Sequence, residues 1–293
     1  MVRLGFIGAG TVGTALAASL SRRGYAVVAV SSRSRSSAER LAARIEGCEV
    51  YSDGQEVVDA ADLVFITTPD GAIGPVVAQY AWRRDKSVVH CSGADSLDVL
   101  ESARASGASV GAFHPLQTFA SVEEAIENLP GSTFAVEAEG SLMGTLEAIV
   151  ASLDGRCVRL YPGDKVLYHT AAVLACNYMV ALVGMATDLW KQFDVPTDEA
   201  TEALLPLIRG TVNNITKVGL PNCLTGPIAR GDLGTIEKHL KALADRAPQL
   251  LPAYKLLGLQ TIPIALAKGK IDDTRAEEMR ELLQPHYCRR IKE

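Results

Sequence analysis

The sequence predicts an α/β protein in which a Rossmann-like, mostly parallel sheet domain is followed by an all-α domain. Short β-branched runs alternate with helix-like stretches in the first half, a glycine-rich turn follows the first run, and the strand pattern stops near residue 162. The predicted domains are a sheet domain at residues 1–162 and a helical domain at residues 163–293. A chain of 293 residues is long enough for both.

The predicted strands are short apolar runs separated by lengths that suit crossover helices. They cover residues 2–7, 26–30, 62–68, 86–91 and 109–113, with a shorter candidate at 48–51. Residues 132–137 and 156–161 flank a helical stretch and are expected to extend the sheet.

A glycine-rich turn, GAGTVG, follows the first predicted strand and opens a small-residue helix. Gly8, Gly10 and Gly13 serve a tight turn, close approach of the main chain to a pyrophosphate, and packing of the helix against the strand. The helix N-terminus, at Thr11 and Val12, then faces the phosphates. This context favours dinucleotide binding over a purely structural turn.

The second predicted strand ends in SSRSRSS, without the Asp or Glu that usually binds the ribose 2′-hydroxyl of NAD. Ser32, Arg33 and Ser34 instead offer hydroxyls and a guanidinium group to the 2′-phosphate of NADP. Such a charge-assisted contact is worth about 1.5–3 kcal/mol. We therefore predict NADP(H) as the cofactor, and a solvated helix start with serine caps is the alternative interpretation.

Two polar segments, TTPDGAI and CSGA, lie at the carboxyl ends of predicted strands, where open α/β sheets bind ligands. The first contributes Thr68 and Pro69 to the predicted cofactor site. The second contributes Ser92 to the cofactor site and Gly93 to the substrate site. Ordinary turn chemistry is the alternative explanation of both segments.

The segment HPLQTF follows the predicted strand of residues 109–113. An imidazole at this rim can donate a proton to a carbonyl or carboxylate beside the nicotinamide, or hold it, which makes His114 a candidate catalytic residue. Gln117 is a candidate substrate contact. A histidine that merely caps the strand is the alternative.

A long apolar stretch, residues 164–193, opens the second half and has a helix-forming composition without proline. Because it is apolar on nearly every face, we predict that it is the buried spine of the second domain and part of a homodimer interface. Lys165 and His169 are four residues apart and therefore share a face of the helix. They are candidates for the general acid and for the residue that binds the substrate. The alternative is that Lys165 is a solvated residue of the first helical turn. Asn177, expected to be buried, is a further catalytic candidate.

Four more helical stretches are predicted, at residues 197–219, 232–244, 248–269 and 272–284. The loop of residues 219–232 presents Arg230, whose guanidinium group suits a substrate carboxylate. An ion pair between Arg230 and Asp232 is the alternative.

The composition excludes several classes of partner. The formal net charge is −5 and the charged residues, 22% of the chain, are interspersed, so nothing recruits nucleic acid or an anionic membrane. The longest apolar run, residues 171–186, is shorter than the roughly 18 residues of a membrane span. Six cysteines lie far apart without metal-ligand spacing, which predicts reduced thiols, a cytoplasmic protein and no metal site.

The motifs GFIGAGTVG, TTPD, HCSGA, HPLQTF, DKVLYHTAAVLACN and LTGPIARGD occur in that order along nearly the whole chain. They resemble a bacterial family that joins a Rossmann-like NADP-binding domain to a C-terminal helical domain of unknown function. That family is similar to a wider group containing 6-phosphogluconate dehydrogenase, β-hydroxyacid dehydrogenase, pyrroline-5-carboxylate reductase, prephenate dehydrogenase and ketopantoate reductase. The resemblance implies an NADP-dependent oxidoreductase.

The resemblance also implies roles for individual residues. The glycines of the first turn and the Ser32-Arg33 pair match the cofactor site of these families. His114-Pro115 resembles the His-Pro of prephenate dehydrogenases, in which the histidine meets the substrate hydroxyl.

The sequence departs from the group at one catalytic position. β-Hydroxyacid dehydrogenases and ketopantoate reductases place a catalytic lysine four residues before an asparagine. If Asn177 is that asparagine, Val173 stands at the lysine position, and Lys165 or His169 has to take the lysine's part.

The resulting expectation is an NADPH-dependent reductase that passes hydride to a carbonyl or imine of a small carboxylate metabolite, with ketopantoate as the first candidate. His114, Lys165 or His169 supplies the proton. The alternatives are a prephenate-dehydrogenase-like or pyrroline-5-carboxylate-reductase-like enzyme, and a non-catalytic NADP(H)-binding sensor whose helical half engages a partner.

Overall fold

The computed structural model describes residues 2–284, so Cys288 lies outside the described residues. The chain divides into two compact units between Asn177 and Tyr178, which we call the sheet unit and the helical unit. The predicted functional boundary between residues 162 and 163 stays a prediction.

Eight strands form the sheet unit: β1 (Arg3–Ile7), β2 (Ala26–Ser31), β3 (Glu49–Tyr51), β4 (Leu63–Ile66), β5 (Ser87–His90), β6 (Ser109–Leu116), β7 (Thr133–Ala138) and β8 (Arg156–Arg159). They make one sheet in the order β3-β2-β1-β4-β5-β6-β7-β8. All neighbours pair in parallel except β6 and β7, which are antiparallel. The predicted Rossmann-like, mostly parallel sheet is confirmed.

The sheet is held by apolar side chains on both faces, as expected for parallel strands covered by helices on each side. On one face Phe6 stacks on Phe65 with ring centroids 5.0 Å apart, and Phe113 meets Phe134 at the same separation. This continuous core fixes the strand ends relative to one another, and those ends build the candidate site.

Eight helices belong to the sheet unit: α1 (Thr11–Arg22), α2 (Arg35–Ala42), α3 (Gly54–Ala60), α4 (Ile73–Val77), α5 (Glu101–Ala105), α6 (Val122–Asn128), α7 (Gly140–Ser152) and α8 (Asp164–Ala172). Helix α1 buries Leu16 and Leu20 in the core on one face of the sheet. Because its first turn contains small residues, it lies close to the strands that precede and follow it.

Strand β6 is longer than predicted, which corrects the expected position of His114. The sequence places this histidine after the strand, whereas the structure places it inside, opposite Ala135 of β7. The pairing with β5 ends at Ala112, opposite His90, and the antiparallel pairing with β7 continues to Leu116. His114 therefore lies two residues beyond the end of β5 and still borders the carboxyl rim.

The long apolar stretch after residue 163 differs from the predicted buried spine. Helix α8 is followed by a π-helical segment, Val173–Asn177, and then by α9 (Tyr178–Trp190). Most of its side chains are exposed in the single chain, including Leu167 and Val180. Gly163, at a positive φ of 97°, is the N-cap of α8, and the carboxylate of Asp164 accepts a hydrogen bond from the backbone N–H of Tyr161.

The helical unit contains α9, α10 (Thr197–Val218), α11 (Pro227–Arg230), α12 (Leu233–Arg246), α13 (Leu251–Ala267) and α14 (Asp273–Leu283). Its small core is formed by fully buried residues of three helices, Ile236, Ile262, Ala276, Met279 and Leu283. Helix α10 covers the predicted helical stretch of residues 197–219, with Pro196 at its N-cap position and Gly219 at its C-cap position.

Two helical stretches, Asp164–Phe193 and Pro248–Ala267, are long and apolar enough to cross a membrane by length and composition alone. The first contains the run of residues 171–186 that we judged too short for a membrane span. Core helices of soluble proteins pass the same test, so these two stretches are weak evidence for a membrane location.

Candidate active site

A cleft of 710 Å³ opens at the carboxyl ends of β1, β2 and β4. Its walls come from the glycine-rich turn, the segment after β2, the start of α3 and the segment after β4. Seven of the predicted cofactor-binding residues line it: Gly8, Gly10, Ser32, Arg33, Ser34, Thr68 and Pro69. Three more, Thr11, Val12 and Gly13, form the first turn of α1 beside it.

Two glycines of the turn are required by close packing against the segment after β4. Gly8 has a positive φ of 110°, and a β-carbon there would lie 2.7 Å from the backbone carbonyl of Thr67. A β-carbon at Gly13 would overlap the Thr67 hydroxyl, which itself donates a 2.7 Å hydrogen bond to the Gly8 carbonyl. Thr67, absent from the predicted site, therefore locks the loop onto the neighbouring strand end.

The remaining features of the cleft fit a dinucleotide. The first turn of α1 has neither a side-chain cap nor an acidic residue, so its N–H groups are available to an anion. A β-carbon at Gly10 would meet no atom within 4 Å, which leaves room for a phosphate against the main chain. The buried Thr68 hydroxyl has no hydrogen-bond partner among residues 2–284, and a ligand in the cleft would supply one.

The segment after β2 presents one unengaged cation. Arg33 is exposed at the cleft and forms no ion pair within residues 2–284, whereas its neighbour Arg35 pairs with Glu39 at 2.9 Å. Ser34 is the N-cap of α2 and accepts a hydrogen bond from the Ser37 backbone N–H. The serine-cap interpretation thus holds for Ser34, and Arg33 remains free to meet a phosphate.

A second group of polar residues surrounds the turn after β5. The Ser92 hydroxyl accepts hydrogen bonds from the N–H groups of Ala94 and Asp95, and the Ser92 carbonyl accepts one of 2.7 Å from the Lys165 ammonium group. Ser92 is buried and does not line the dinucleotide cleft, so its contact with the cofactor stays a prediction. Its backbone instead anchors Lys165.

Lys165 is a buried cation rather than a solvated first-turn residue. Only 4% of it is exposed. Burial lowers the pKa of its amine to about 8, although Glu137, Cys91, Asp95 and Asp70 oppose the shift. An ammonium group with a pKa near 8 is charged at neutral pH and can release its proton to a substrate.

Two imidazoles meet over Gly93. The ring centroids of His114 and His169 are 5.9 Å apart, and His114 Nδ1 lies 3.0 Å from the Tyr168 hydroxyl. Burial, then the charge of Lys165, lowers the pKa of His114 to about 4, so this ring is neutral at pH 7. His169 Nδ1 is buried without a partner within the described residues. Lys165 and His169 share a face of α8, as the four-residue spacing predicts.

A third histidine lies beneath this cluster. His90, the last residue of β5, is fully buried, and its Nδ1 accepts a hydrogen bond from the Ser92 N–H at 3.2 Å. Burial lowers its pKa to about 3, so it is a neutral acceptor that holds the turn.

Three predicted site residues lie elsewhere. Asn177 is exposed at the end of the π-helical segment, contrary to its expected burial, and makes no side-chain hydrogen bond with the described residues. The Gln117 amide donates to the Asn128 carbonyl and the Ser132 hydroxyl, which gives it a structural role in this chain. Arg230 is exposed in the helical unit and forms no ion pair with Asp232, whose carboxylate caps α12 instead.

Three further residues of the cluster were not predicted from the sequence: His90, Glu137 and Tyr168. Tyr168 could have been predicted, because it lies one turn from Lys165 on the same helix. Glu137 is an acid inside an apolar strand run, which is unusual in a buried sheet. Within residues 2–284, no group of three or more His, Cys, Asp or Glu side chains is arranged to hold a metal ion.

Comparisons with known proteins agree with this architecture. A Rossmann-like domain model matches residues 1–115, and a model described as a domain of unknown function, DUF2520, matches residues 132–261. A protein of known structure from Bacteroides fragilis, described as a proposed NADP oxidoreductase, is 30% identical to this chain. The match covers 89% of this chain and 98% of that chain, with a TM-score of 0.72. The chain belongs to this two-domain family.

Membership of the family confirms the predicted oxidoreductase class and NADP(H) cofactor at the level of the family. The Rossmann-like match contains the whole dinucleotide cleft, whereas the DUF2520 match contains Glu137, Lys165 and His169. The candidate proton-handling groups of the sheet unit thus come from both matched regions.

More distant structures share the fold. A reductive aminase from Aspergillus terreus, solved with NADPH and ethyl levulinate, is 19% identical over 97% of this chain and 100% of that chain, with a TM-score of 0.64. A pyrroline carboxylate reductase from Plasmodium falciparum, solved with NADP bound, is 13% identical over 97% of this chain and 98% of that chain, with a TM-score of 0.61.

One curated protein is similar to a shorter part of the sequence. An inositol 2-dehydrogenase from Saccharopolyspora erythraea is 39% identical over 80 residues, so the chain spans only 24% of the length of that relative.

Proposed function

We propose that the protein is an NADP(H)-dependent reductase that reduces a carbonyl or imine group of a small carboxylate-bearing metabolite. The observation that supports this most strongly is the buried Lys165 ammonium group, which is held by the Ser92 carbonyl beside two imidazoles. Burying a cation is costly. Lys86 is buried as well, but it bonds two backbone carbonyls, whereas Lys165 bonds one and burial lowers its pKa to about 8, as at functional sites. The first candidates for substrate are 2-oxo acids such as ketopantoate.

Lys165 is the proposed proton donor. The chemistry that NADPH supplies when bound is hydride donation to an electrophilic carbon. The Lys165 ammonium group then gives its proton to the substrate oxygen or nitrogen: an N–H bond of the lysine breaks and an O–H or N–H bond of the product forms. The Ser92 carbonyl holds the ammonium group in place for this transfer.

The two imidazoles are proposed to hold the substrate. The Tyr168 hydroxyl, whose pKa burial raises to about 12, stays protonated and donates to His114 Nδ1. The remaining proton of the neutral His114 ring is then on Nε2, which can donate a hydrogen bond to a substrate carbonyl or carboxylate. His169 Nδ1, which has no partner within the described part of the chain, offers a second contact.

Arg33 is the proposed determinant for NADP(H) over NAD(H). In Arg33→Asp we expect the ratio of NADPH to NADH affinity, measured by fluorescence titration, to fall by about ten- to a hundredfold, because a charge-assisted contact is replaced by repulsion. Arg35→Asp is the matched control, since Arg35 lies two residues from Arg33 and already pairs with Glu39. Equal ratios in the Arg33 variant and the native protein would contradict the assignment.

Other reductions within the same fold are second candidates. An imine reductase from Aspergillus terreus shares the fold, at 19% identity and a TM-score of 0.60. The Lys165 ammonium group could protonate an imine nitrogen as well as a carbonyl oxygen. A prephenate-dehydrogenase-like reaction would use His114 toward a substrate hydroxyl. A non-catalytic sensor is disfavoured because binding NADP(H) alone gives no reason to gather Lys165, His114 and His169 around one turn.

The proposal is tested by following NADPH oxidation at 340 nm with a panel of 2-oxo acids and cyclic imines. We expect saturable turnover with at least one carboxylate-bearing member and none with the matching esters. Saturable NADPH binding without turnover of any member, in either direction, would favour the sensor.

We also propose that the protein is a cytoplasmic homodimer that associates through its helical unit. Helices α9 and α10 expose large apolar side chains, with Val180 70% and Leu207 68% exposed, and monomers rarely leave such surfaces uncovered. We expect sedimentation velocity to give the mass of two chains, and Val180→Glu to shift the population toward one chain. A native protein that sediments as a monomer at micromolar concentration would overturn this proposal.

A further inference from the structure

Glu137 is a buried carboxylic acid that the proposed reaction does not use. It lies on β7 opposite Ala112 of β6, and only 7% of it is exposed. Within residues 2–284, no Lys or Arg lies within ion-pair distance of its carboxylate. Because an unpaired buried carboxylate is unfavourable, its presence calls for a partner or a function.

A small cavity connects this acid to Lys165. It has a volume of 40 Å³ and is lined by Ala94, Ser96, Glu137, Gly163, Lys165 and Val166. The wall of this cavity is mainly apolar, and its polar side chains are those of Ser96, Glu137 and Lys165. Roughly 15 Å³ and two polar partners are enough for one water molecule. A single water between the carboxyl group and the amine would therefore give a route for a proton.

Burial shifts the pKa of Glu137 and the pKa of Lys165 toward each other. Burial raises the pKa of Glu137 from its ordinary value, opposed by Lys165, while Asp98 and Asp164 raise it and Arg104 lowers it. Burial lowers the pKa of Lys165 to about 8, opposed first by Glu137 and then by Cys91, Asp95 and Asp70. A proton is transferred most readily between groups whose pKa values are close.

We propose that Glu137 is a positioning residue that acts through Lys165, returning a proton to the Lys165 amine across the cavity after each turnover. The step breaks the O–H bond of the neutral carboxyl group and forms an N–H bond on the neutral amine, which leaves a carboxylate and an ammonium group. The carboxylate takes each proton from solvent at the cavity only after Lys165 has released its own, so the resting pair is a carboxylate and an ammonium group. This inference rests on the proposed function, in which Lys165 donates the proton.

The test compares Glu137→Gln, which keeps the shape and removes the acid, with Glu137→Ala, which leaves space for a small carboxylic acid. Glu139→Gln is the matched control, because Glu139 is an exposed acid two residues away whose side chain caps nothing. The first readout is the pH midpoint of Lys165 acylation in substrate-free protein, measured by peptide mass spectrometry. The second is turnover at low buffer concentration with and without formate.

We expect Glu137→Gln to lower the acylation midpoint of Lys165 by about one pH unit, because a charge that favours the ammonium form is lost. We expect kcat to fall about tenfold with little change in KM, and formate to restore turnover in Glu137→Ala. A purely structural role would not produce rescue by formate, and Glu139→Gln should match the native protein in both readouts.

An unchanged acylation midpoint in folded Glu137→Gln would overturn the inference, as would failure of formate to restore a folded, slowed Glu137→Ala. If the native protein proves to have no reductase activity, the proposed function fails. The acylation midpoint, which needs no substrate, still decides in that case whether Glu137 and Lys165 are coupled.

Discussion

Replacing Lys165 with methionine is expected to lower kcat by about 10²- to 10⁴-fold, the usual contribution of a positioned general acid. Methionine has a similar length and is apolar, so it fills the buried site but has no proton to give. The affinity for NADPH should change little, because Lys165 does not line the dinucleotide cleft. Steady-state kinetics and NADPH titration of the same preparation measure both quantities.

Two further lysine variants separate the possible causes of such a loss. Lys165→Arg keeps the positive charge but cannot release a proton near neutral pH, so it should be almost as slow as Lys165→Met. Lys86→Met is the matched control: Lys86 is equally buried, but its ammonium group donates to the carbonyls of Asp59 and Ala61, away from the cluster. It should lower Tm and leave kcat of the folded protein intact. Normal turnover in Lys165→Arg would exclude proton donation by this residue.

The pH dependence of the native enzyme follows from the same residue. A general acid must be protonated in the free enzyme, so kcat/KM for reduction should be constant below the pKa of Lys165, about 8, and decline above it. Protonation of His114, whose pKa is about 4, would add a charge next to Lys165 and lower activity only in acid. The alkaline decline should disappear from the residual activity of Lys165→Met.

The dinucleotide half of the site could be predicted because its determinants are local. Gly8, Gly10 and Gly13 lie within six residues of one another, directly after a strand, and Gly8 and Gly13 each meet a steric constraint that acts over a few ångströms. The position of Lys165 relative to His169 could be predicted for the same reason, since a helix places residues four apart on one face.

Contacts between distant segments could not be predicted in this way. The bond between Lys165 and Ser92 joins residues 73 positions apart, and the cavity between Glu137 and Lys165 depends on the antiparallel pairing of β6 with β7. The strand signal at His114 stopped too early because Pro115 is a poor strand residue. It is accommodated beyond the end of β5, where β6 has β7 as its partner.

The long apolar helix illustrates a different limit. Its composition predicts that it is covered, but the composition does not say whether the cover comes from the same chain or from another. In the single chain Asn177 and most of its neighbours are exposed, so the inferred burial of Asn177 was wrong for this chain. A second copy across α9 and α10 is the arrangement that we propose.

Gly93→Ala is expected to reduce kcat/KM by about a hundredfold, because a misplacement of about 1 Å in a catalytic group has an effect of that order. A β-carbon at this position would overlap His169 Nδ1 and lie 2.9 Å from His114 Nε2, so at least one imidazole has to move. The affinity for NADPH should be unchanged, since Gly93 is not part of the dinucleotide cleft. Kinetics, NADPH titration and thermal unfolding of one preparation measure the separate effects.

The control for Gly93→Ala is Gly71→Ala, in the loop after the neighbouring strand. A β-carbon at Gly71 would meet no atom within 4 Å, so this variant adds the same methyl group without displacing any side chain. It should retain native kcat/KM and Tm. If Gly93→Ala is as active as Gly71→Ala, the two imidazoles do not have to converge over this turn, and the proposed binding of the substrate by His114 and His169 is wrong. If Gly93→Ala lowers kcat/KM and leaves the NADPH affinity and Tm unchanged, the absence of a side chain at Gly93 is what allows the two histidines to reach the substrate.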